Sequence, residues 1–192
     1  MNSSSIRQTY NEIASDFDRT RYSMWSCMKS FYQNNEPGYI LDVGCGNGKN
    51  IVVAKETWYE LCDLSDEFVK MTHDRYPNSG MTQLDAISLP YRSNTFDTVI
   101  SVAVLHHLDS FGNRVKMLNE MLRVCSNSGT IFFTVWANDV SCDKMVPWTN
   151  ASTKHKSFRF YHFFDKLEVI SLLHSCGVTH FNLTLEHNNY VC

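Results

Sequence analysis

Tyr39-Ile40-Leu41-Asp42-Val43-Gly44-Cys45-Gly46-Asn47-Gly48-Lys49 decides how the rest of the chain is read. A short apolar run, suited to a buried strand, meets an acid and then three glycines at alternate positions. Glycine lets a backbone turn sharply and approach a ligand closely, because no Cβ intervenes. Asn50 to Lys55 is expected to start a helix whose first amides point back at the turn. A strand, glycine turn and helix in that order form the usual first half of a nucleotide-binding α/β crevice.

Upstream, Ile6, Tyr10, Ile13, Ala14 and Phe17 paint one face of a helix over residues 6–18. Ser23 is expected to cap a second helix containing Met24, Trp25, Met28, Phe31 and Tyr32, closed off by Pro37-Gly38. Downstream, strand–helix units repeat. Trp58 to Asp63 reads as a second strand, Ser65 to Tyr76 as a helix, and Met81 to Asp85 as a weaker third strand. Phe96 to Val104 is β-branched and almost wholly apolar, as in a strand covered on both faces. A helix over Asn113–Val124 and a fifth strand over Gly129–Trp136 follow. Ala137 to Ser157, with Pro147 inside it, reads as polar and irregular. A helix over Phe164–Ser175 ends at Gly177, and Val178–Leu185 with Asn189–Cys192 reads as a closing hairpin across His187-Asn188.

This alternation specifies a Rossmann-like α/β fold, with a mostly parallel sheet, helices on both faces and a C-terminal antiparallel hairpin. Residues 1–192 are expected to form one domain, with residues 1–36 as a helical lid within it. The hydrophobic share of 43% and charged share of 19% are those of an ordinary globular protein. No apolar run reaches the roughly 18 residues of a membrane span, and the start lacks a signal-peptide core. Seven cysteines, an odd number without a C-x-x-C pair, point to reduced thiols in a cytoplasmic or nuclear protein and to no metal site in this chain. A net charge of −3 gives no global pull towards nucleic acid or membrane. A nucleic-acid site would have to be local, and Lys154-His155-Lys156-Ser157-Phe158-Arg159 is the one basic cluster with interleaved aromatics.

Ligands in such sheets bind at the carboxyl ends of the strands. Asp42, Asp63, Asp85, the pair His106-His107 and Trp136 are thereby collected on one rim. Asp63 at a strand end can accept both ribose hydroxyls, which suits NAD or S-adenosylmethionine. Asp42 before the glycines would repel a pyrophosphate but help neutralise an ammonium. Asp85 is placed to accept from an adenine amino group. Three carboxylates therefore favour the sulfonium cofactor, although each could instead cap the helix after it.

The sequence then resembles a family. Asp42 through Lys49, Cys62-Asp63-Leu64-Ser65 and Asp85 through Leu89-Pro90 look like successive cofactor motifs of class I S-adenosylmethionine-dependent methyltransferases. The resemblance narrows at Tyr10 through Ala14, Phe17, Thr20-Arg21-Tyr22, Ile100 through Leu108, Leu122-Arg123-Val124, Val135-Trp136-Ala137 and Arg159 through Phe164. Together these resemble the eukaryotic tRNA wobble-uridine carboxymethyl methyltransferases, with which the class I fold implies a seven-stranded sheet. Leu61 stands where the family has glycine, and Asn138 to Ser157 is shorter than the family's segment.

The resemblance implies methyl transfer to the carboxylate of 5-carboxymethyluridine in tRNA, S-adenosyl-L-homocysteine as product, and a heterodimer with a small zinc-containing activator. Tyr10, Asp42, Gly44, Cys45, Gly46, Asp63, Leu64, Ser65, Asp85, Ala86, Val102, Ala103 and His107 would then surround the cofactor. Arg21, Tyr22, His106, Trp136, Arg159 and Tyr161 would surround the acceptor, with Arg19, Lys154 and Lys156 on RNA. A carboxylate is ionised at neutral pH and needs no general base, so its enzyme chiefly positions it. Arg21 and Arg159 could clamp it or a phosphate through paired hydrogen bonds. Tyr22, Trp136 and Tyr161 could wall in a flipped base. His106 as a base would suit a hydroxyl or amine instead. A class I methyltransferase with a small-molecule acceptor, and a catalytically silent binding subunit, stay open.

The third strand is expected at a sheet edge, where Ala86, Ile87 and Leu89 add apolar surface for a partner strand, unless the Ile87-to-Ser93 loop covers it.

Overall fold

The computed structural model describes residues 3–35, 38–53 and 57–192. Its centre is a seven-stranded sheet in the order β3-β2-β1-β4-β5-β9-β8. The strands are β1 (Tyr39–Val43), β2 (Trp58–Asp63), β3 (Gly80–Gln83), β4 (Phe96–Val102), β5 (Cys125–Trp136), β8 (Thr184–Glu186) and β9 (Asn189–Val191). The pairs among the first five are parallel, while β9 runs antiparallel to both β5 and β8. The order turns back at β1 and β4, and a crevice opens beyond strand ends at such a switch point.

Alternation along β1 explains the two sides of the sheet. Leu41 and Val43 join a core with Val99, Met117, Met121, Phe133, Val169 and Leu172. This is the face covered by α4 (Phe111–Val124) and α5 (Lys166–Ser175). Ile40 joins the opposite core with Leu61, Ile100, Phe132, Met28 and Phe31, the last two from α2 (Ser26–Asn34). Asp42 shares its parity with Ile40 and is 1% exposed.

Several expectations are corrected. Ser23 does not cap α2, whose N-cap position is Trp25, and no side chain caps it. Residues 50–53 form turn and coil, not the start of a helix. Gly48 N donates to Cys45 O and Ile51 N to Gly48 O, which closes consecutive three-residue turns. Ile51, Val52 and Val53 are stiff β-branched residues with little helix preference. Lys55 and Pro37 lie outside the described residues. Asp85 lies beyond β3, whose last residue is Gln83. The hairpin is shorter than expected, since residues 178–183 are irregular.

The largest correction concerns Ala137 to Ser157. Cys142–Thr149 is a strand, β6, paired antiparallel with β7 (Lys156–Phe163) in register from Cys142↔Phe163 to Thr149↔Lys156. Pro147 is tolerated because in a two-stranded ribbon half the amides face outward. The ribbon is anchored at both ends. At its base Phe164 N donates to Trp136 O at 2.9 Å and Asn138 N to Phe164 O at 2.8 Å. His162 sits between Asp143 at 2.6 Å and Glu168 at 2.8 Å. Further out it packs on α1 (Ser3–Thr20), where the Trp148 indole donates to Asp16 at 2.9 Å and Ser157 Oγ to Glu12 at 3.2 Å.

Helix α1 is also tied to α3 (Asp66–Arg75). Arg7 donates to Asp66 at 2.6 Å, Ser65 Oγ to Asn11 at 2.6 Å, and Arg75 to both oxygens of Asp18 at 2.9 and 3.0 Å. The helix therefore bridges α3 and the ribbon across the mouth of the crevice.

Candidate active site

A cavity of about 580 Å³ occupies the carboxyl ends of β1, β2 and β4, under α1 and beside the β6–β7 ribbon. The glycine turn forms its floor. Gly44 has φ +77°, and a Cβ there would lie 2.4 Å from a Val104 methyl group. Gly46 has φ +55° and open space where a Cβ would stand, so a side chain would project from the turn. The turn's amides are already engaged. Gly44 N and Cys45 N donate to Cys62 O at 2.8 and 3.0 Å, and Gly46 N donates to Asp63 at 2.9 Å. A pyrophosphate cradle needs such amides free, so this turn suits a ligand without phosphate.

Asp63 lines the cavity. One of its oxygens accepts from Gly46 N and the other from Ser65 N, at 2.9 Å each, which leaves further lone pairs for two hydroxyl groups. Burial pushes its pKa up to about 6, with those backbone amides pulling the other way. Asp85 also lines the cavity and accepts from Ser3 Oγ at 2.6 Å. Leu64, Ala86, Cys45, Val102 and Ala103 complete this end. Ala103 holds φ +61°, and its amide donates to Thr134 Oγ1 at 3.0 Å. A left-handed alanine costs about 1 kcal/mol and turns the chain from β4 across the cavity. Ser65 lines the cavity too, but its hydroxyl is committed to Asn11 and to capping α3 through Phe68 N.

Asp42 does not line the cavity. It points into the face covered by α2, where Oδ2 has no hydrogen-bond partner among the described residues. Burial and the nearby Asp63 charge push its pKa up to about 8. An orphaned buried carboxyl behind the glycine turn, together with the open face at Gly46 and the acceptors on Asp63, fits a cationic ligand carrying a ribose.

His107 lines the cavity and His106 does not. His107 Nδ1 lies 2.9 Å from Phe160 O, and a carbonyl only accepts, so Nδ1 carries the proton. Burial lowers its pKa to about 4, so Nε2 is bare and accepts from the Tyr10 hydroxyl at 2.7 Å. His106 is wholly buried, with both ring nitrogens unpartnered among the described residues and its pKa far below the usual value through burial. Its ring stacks on Tyr161 at 4.7 Å and 16°. The expected acceptor contact from His106 is therefore corrected: it supports the tyrosine from behind.

Trp136, Arg159 and Tyr161 meet at the other end of the cavity. Trp136 packs edge-on against Tyr161 at 5.6 Å and Phe163 at 5.8 Å. Arg159 donates to the Tyr161 hydroxyl at 2.8 Å. Trp148, missed within the supposed irregular segment, is the pivot. Arg21 lies 5.1 Å and Arg159 4.9 Å from its ring centroid, and Phe17 stacks on it at 5.7 Å. The alternation of Val146 and Trp148 was the available signal, and Pro147 masked it. Tyr22, 79% exposed, stands at the mouth. Arg19 pairs with Asp16 at 2.6 Å, and Lys154 and Lys156 lie around the ribbon tip, all three off the cavity wall.

A family profile described as "Methyltransferase domain" matches residues 41–133. A tRNA (carboxymethyluridine(34)-5-O)-methyltransferase of Arabidopsis thaliana is 34% identical over 152 residues, covering 78% of this chain and 37% of that protein. One of Saccharomyces cerevisiae is 31% identical over 163 residues, covering 79% of this chain and 58% of that protein. Over most of its length the chain is similar to these methyltransferases, and the methyltransferase-domain match spans its central parallel strands. The chain spans 37% and 58% of the length of those two relatives. The class I methyltransferase fold recurs in a solved complex of the Haloferax volcanii Trm112 methyltransferase activator with a methyltransferase. That match has a TM-score of 0.73 at 16% identity and covers 95% of this chain and 80% of that one. In the methyltransferase family the cofactor is S-adenosylmethionine, and the sequence expectation for the fold holds, with the β6–β7 ribbon added.

Proposed function

We propose that the chain methylates the carboxylate of 5-carboxymethyluridine at the tRNA wobble position, leaving S-adenosyl-L-homocysteine. The observation that carries this reading is a cavity end rich in cations and aromatics but without a free base. Arg21 and Arg159 flank Trp148 and have no carboxylate partner among the described residues. His107 has both nitrogens engaged and His106 is sealed off. A hydroxyl or amine acceptor would need a base to take its proton. A carboxylate needs only alignment and a dry site.

When bound, S-adenosylmethionine supplies an electrophilic methyl group on sulfonium. Asp63 would accept the ribose hydroxyls, Asp85 and Ala86 would hold the adenine end, and Gly44 and Gly46 would leave room for the remainder. Buried Asp42, its pKa raised to about 8, would be drawn towards ionisation by the positive charges of a bound sulfonium cofactor. Arg159 orients the acceptor carboxylate and is itself held by Tyr161, which stacks on His106. Trp136, Tyr161 and Tyr22 wall in the uracil and exclude water. The test is methyl transfer to carboxymethyl-bearing tRNA with and without an activator, followed by nucleoside analysis. A wobble-uridine ester labile to mild base is expected. No ester with both components present would sink the reading.

Lys154 and Lys156, near the tip of the ribbon that carries Arg159, are assigned to phosphates beside the anticodon loop. Reversing both charges to glutamate is expected to weaken tRNA binding and lower the slope of log affinity against log salt by about 2. Cofactor affinity should stay unchanged, and an unaltered salt slope would reduce this run to a surface loop.

The activator is assigned to the outer edge of β3. That strand ends the sheet, and Gly80 to Gln83 have no strand beyond them among the described residues. The loop after it turns under the sheet instead: Leu89 N donates to Glu120 at 2.6 Å, and Arg123 donates to Leu89 O and Tyr91 O at 2.8 and 2.7 Å. The edge is left available for strand addition by a small zinc-containing subunit.

A further inference from the structure

Lys49 is the last residue of the glycine turn and lines the cavity. Its ammonium lies 5.3 Å from the Trp25 ring centroid and 5.9 Å from that of Phe17. Among the described residues it has neither hydrogen bond nor ion pair. Arg21 is held close by the same turn, because the side chain of Asn47, 1% exposed, donates to Arg21 O at 2.8 Å and to Asp18 at 2.9 Å. Burial and the Arg21 charge together lower the Lys49 pKa to about 8. Asp18, the acid nearby, is paired with Arg75. Two cations held together with no carboxylate paired to either among the described residues raise each other's energy, and an anion between them would relieve it.

The order of groups along the cavity identifies that anion. Asp85 and Asp63 mark the nucleoside end, the glycines follow, and Lys49 comes three residues beyond Gly46. An S-adenosylmethionine laid with its ribose on Asp63 runs its amino-acid part over the glycines towards Lys49. We propose that Lys49 binds the α-carboxylate of the cofactor's methionine part. Arg21 then stands between that carboxylate and the Arg159 side of Trp148, where the acceptor belongs. A ribonucleotide phosphate or the acceptor carboxylate would offer the same chemistry, so the test must separate these sources.

The test is calorimetric titration of wild type and Lys49→Met at pH 8.5 with S-adenosylmethionine, its decarboxylated analogue and 5′-methylthioadenosine. Loss of a charge-assisted contact should cost about tenfold to a hundredfold in affinity for S-adenosylmethionine. The decarboxylated analogue should lose little and 5′-methylthioadenosine nothing, which also reports an intact nucleoside half. Lys49→Arg should regain most of the loss. Wild type should take up part of a proton on binding S-adenosylmethionine at this pH, and Lys49→Met should not, because the anion restores the lysine's affinity for protons. Unchanged S-adenosylmethionine affinity in Lys49→Met, or equal loss for all three ligands, overturns the proposal. So does a variant whose only defect is a raised KM for tRNA, which would give the lysine to an RNA anion. The titrations contain no RNA, so failure of the tRNA reading would leave their result standing.

Discussion

Asp63→Asn is expected to weaken S-adenosylmethionine binding by about a hundredfold, the sum of two charge-assisted hydrogen bonds to ribose. The carboxylate is also the acceptor for Gly46 N and Ser65 N. An amide side chain can accept with only one of its two atoms, so one backbone donor is left facing another donor and the turn loosens as well. The same residue predicts a pH dependence. With the Asp63 pKa raised to about 6, only about a tenth of the protein has it ionised at pH 5, and cofactor affinity should be about tenfold lower there than at pH 8. Binding near pH 6 should release a proton, opposite in sign to the uptake expected at Lys49 at pH 8.5.

Stability of the unliganded protein follows the same sign. The Asp42 and Asp63 pKa values are raised above the ordinary 3.8, to about 8 and about 6. The folded state therefore holds more protons than the unfolded one between about pH 4 and 8. Their contribution is fully present below pH 4 and is lost as pH rises through 6 and then 8. The thermal midpoint without ligand should fall across that window. A saturating cofactor should raise it more at pH 8 than at pH 5. A midpoint that climbs from pH 5 to 8 at the same ionic strength, with the other titrating groups accounted for, would contradict the buried state of this pair.

The parallel strands could be read because burial on both faces leaves an apolar run, as in Phe96 to Val102, and because β1 and β2 each carry an acid at or next to their last residue, beside a turn. Burial direction could not be read in the same way. Asp42 and Asp63 look equivalent in sequence, yet strand parity turns Asp42 under α2 and leaves Asp63 at the rim. His106 and His107 are adjacent, and the 3₁₀ turn at Leu105–His107 sends one ring behind Tyr161 and the other into the cavity. The β6–β7 ribbon escaped because Pro147 and its charged neighbours argue against a strand, and only pairing with β7 and packing on α1 overrule them. Trp148 and Lys49 escaped for a related reason. Each acts through rings and charges contributed by distant segments, Phe17 and Arg159 for one and Trp25 and Arg21 for the other.

Arg159→Ala is expected to lower kcat/KM on carboxymethyl-bearing tRNA by about a hundredfold to a thousandfold while the cofactor Kd changes by less than about twofold. The magnitude is that of removing a charged donor from a desolvated carboxylate, about 3–4 kcal/mol. Trp148 and Tyr161 hold the guanidinium at 4.9 and 5.1 Å from their ring centroids, and the Tyr161 hydroxyl fixes one nitrogen, so its orientation at the cavity wall is set with little freedom. Arg159→Lys should recover little, because an ammonium cannot stack as a plane on the indole or present two parallel donors to a carboxylate. Tyr161→Phe should fall between the two, keeping the wall against His106 and Trp136 while releasing the guanidinium. If lysine restored full turnover, point charge alone would suffice and the geometry of the clamp would be irrelevant. If Arg159→Ala instead weakened the cofactor and left saturated turnover intact, the arginine would belong to the donor side, and the acceptor would have to be sought among Tyr22, Arg21 and the mouth of the cavity.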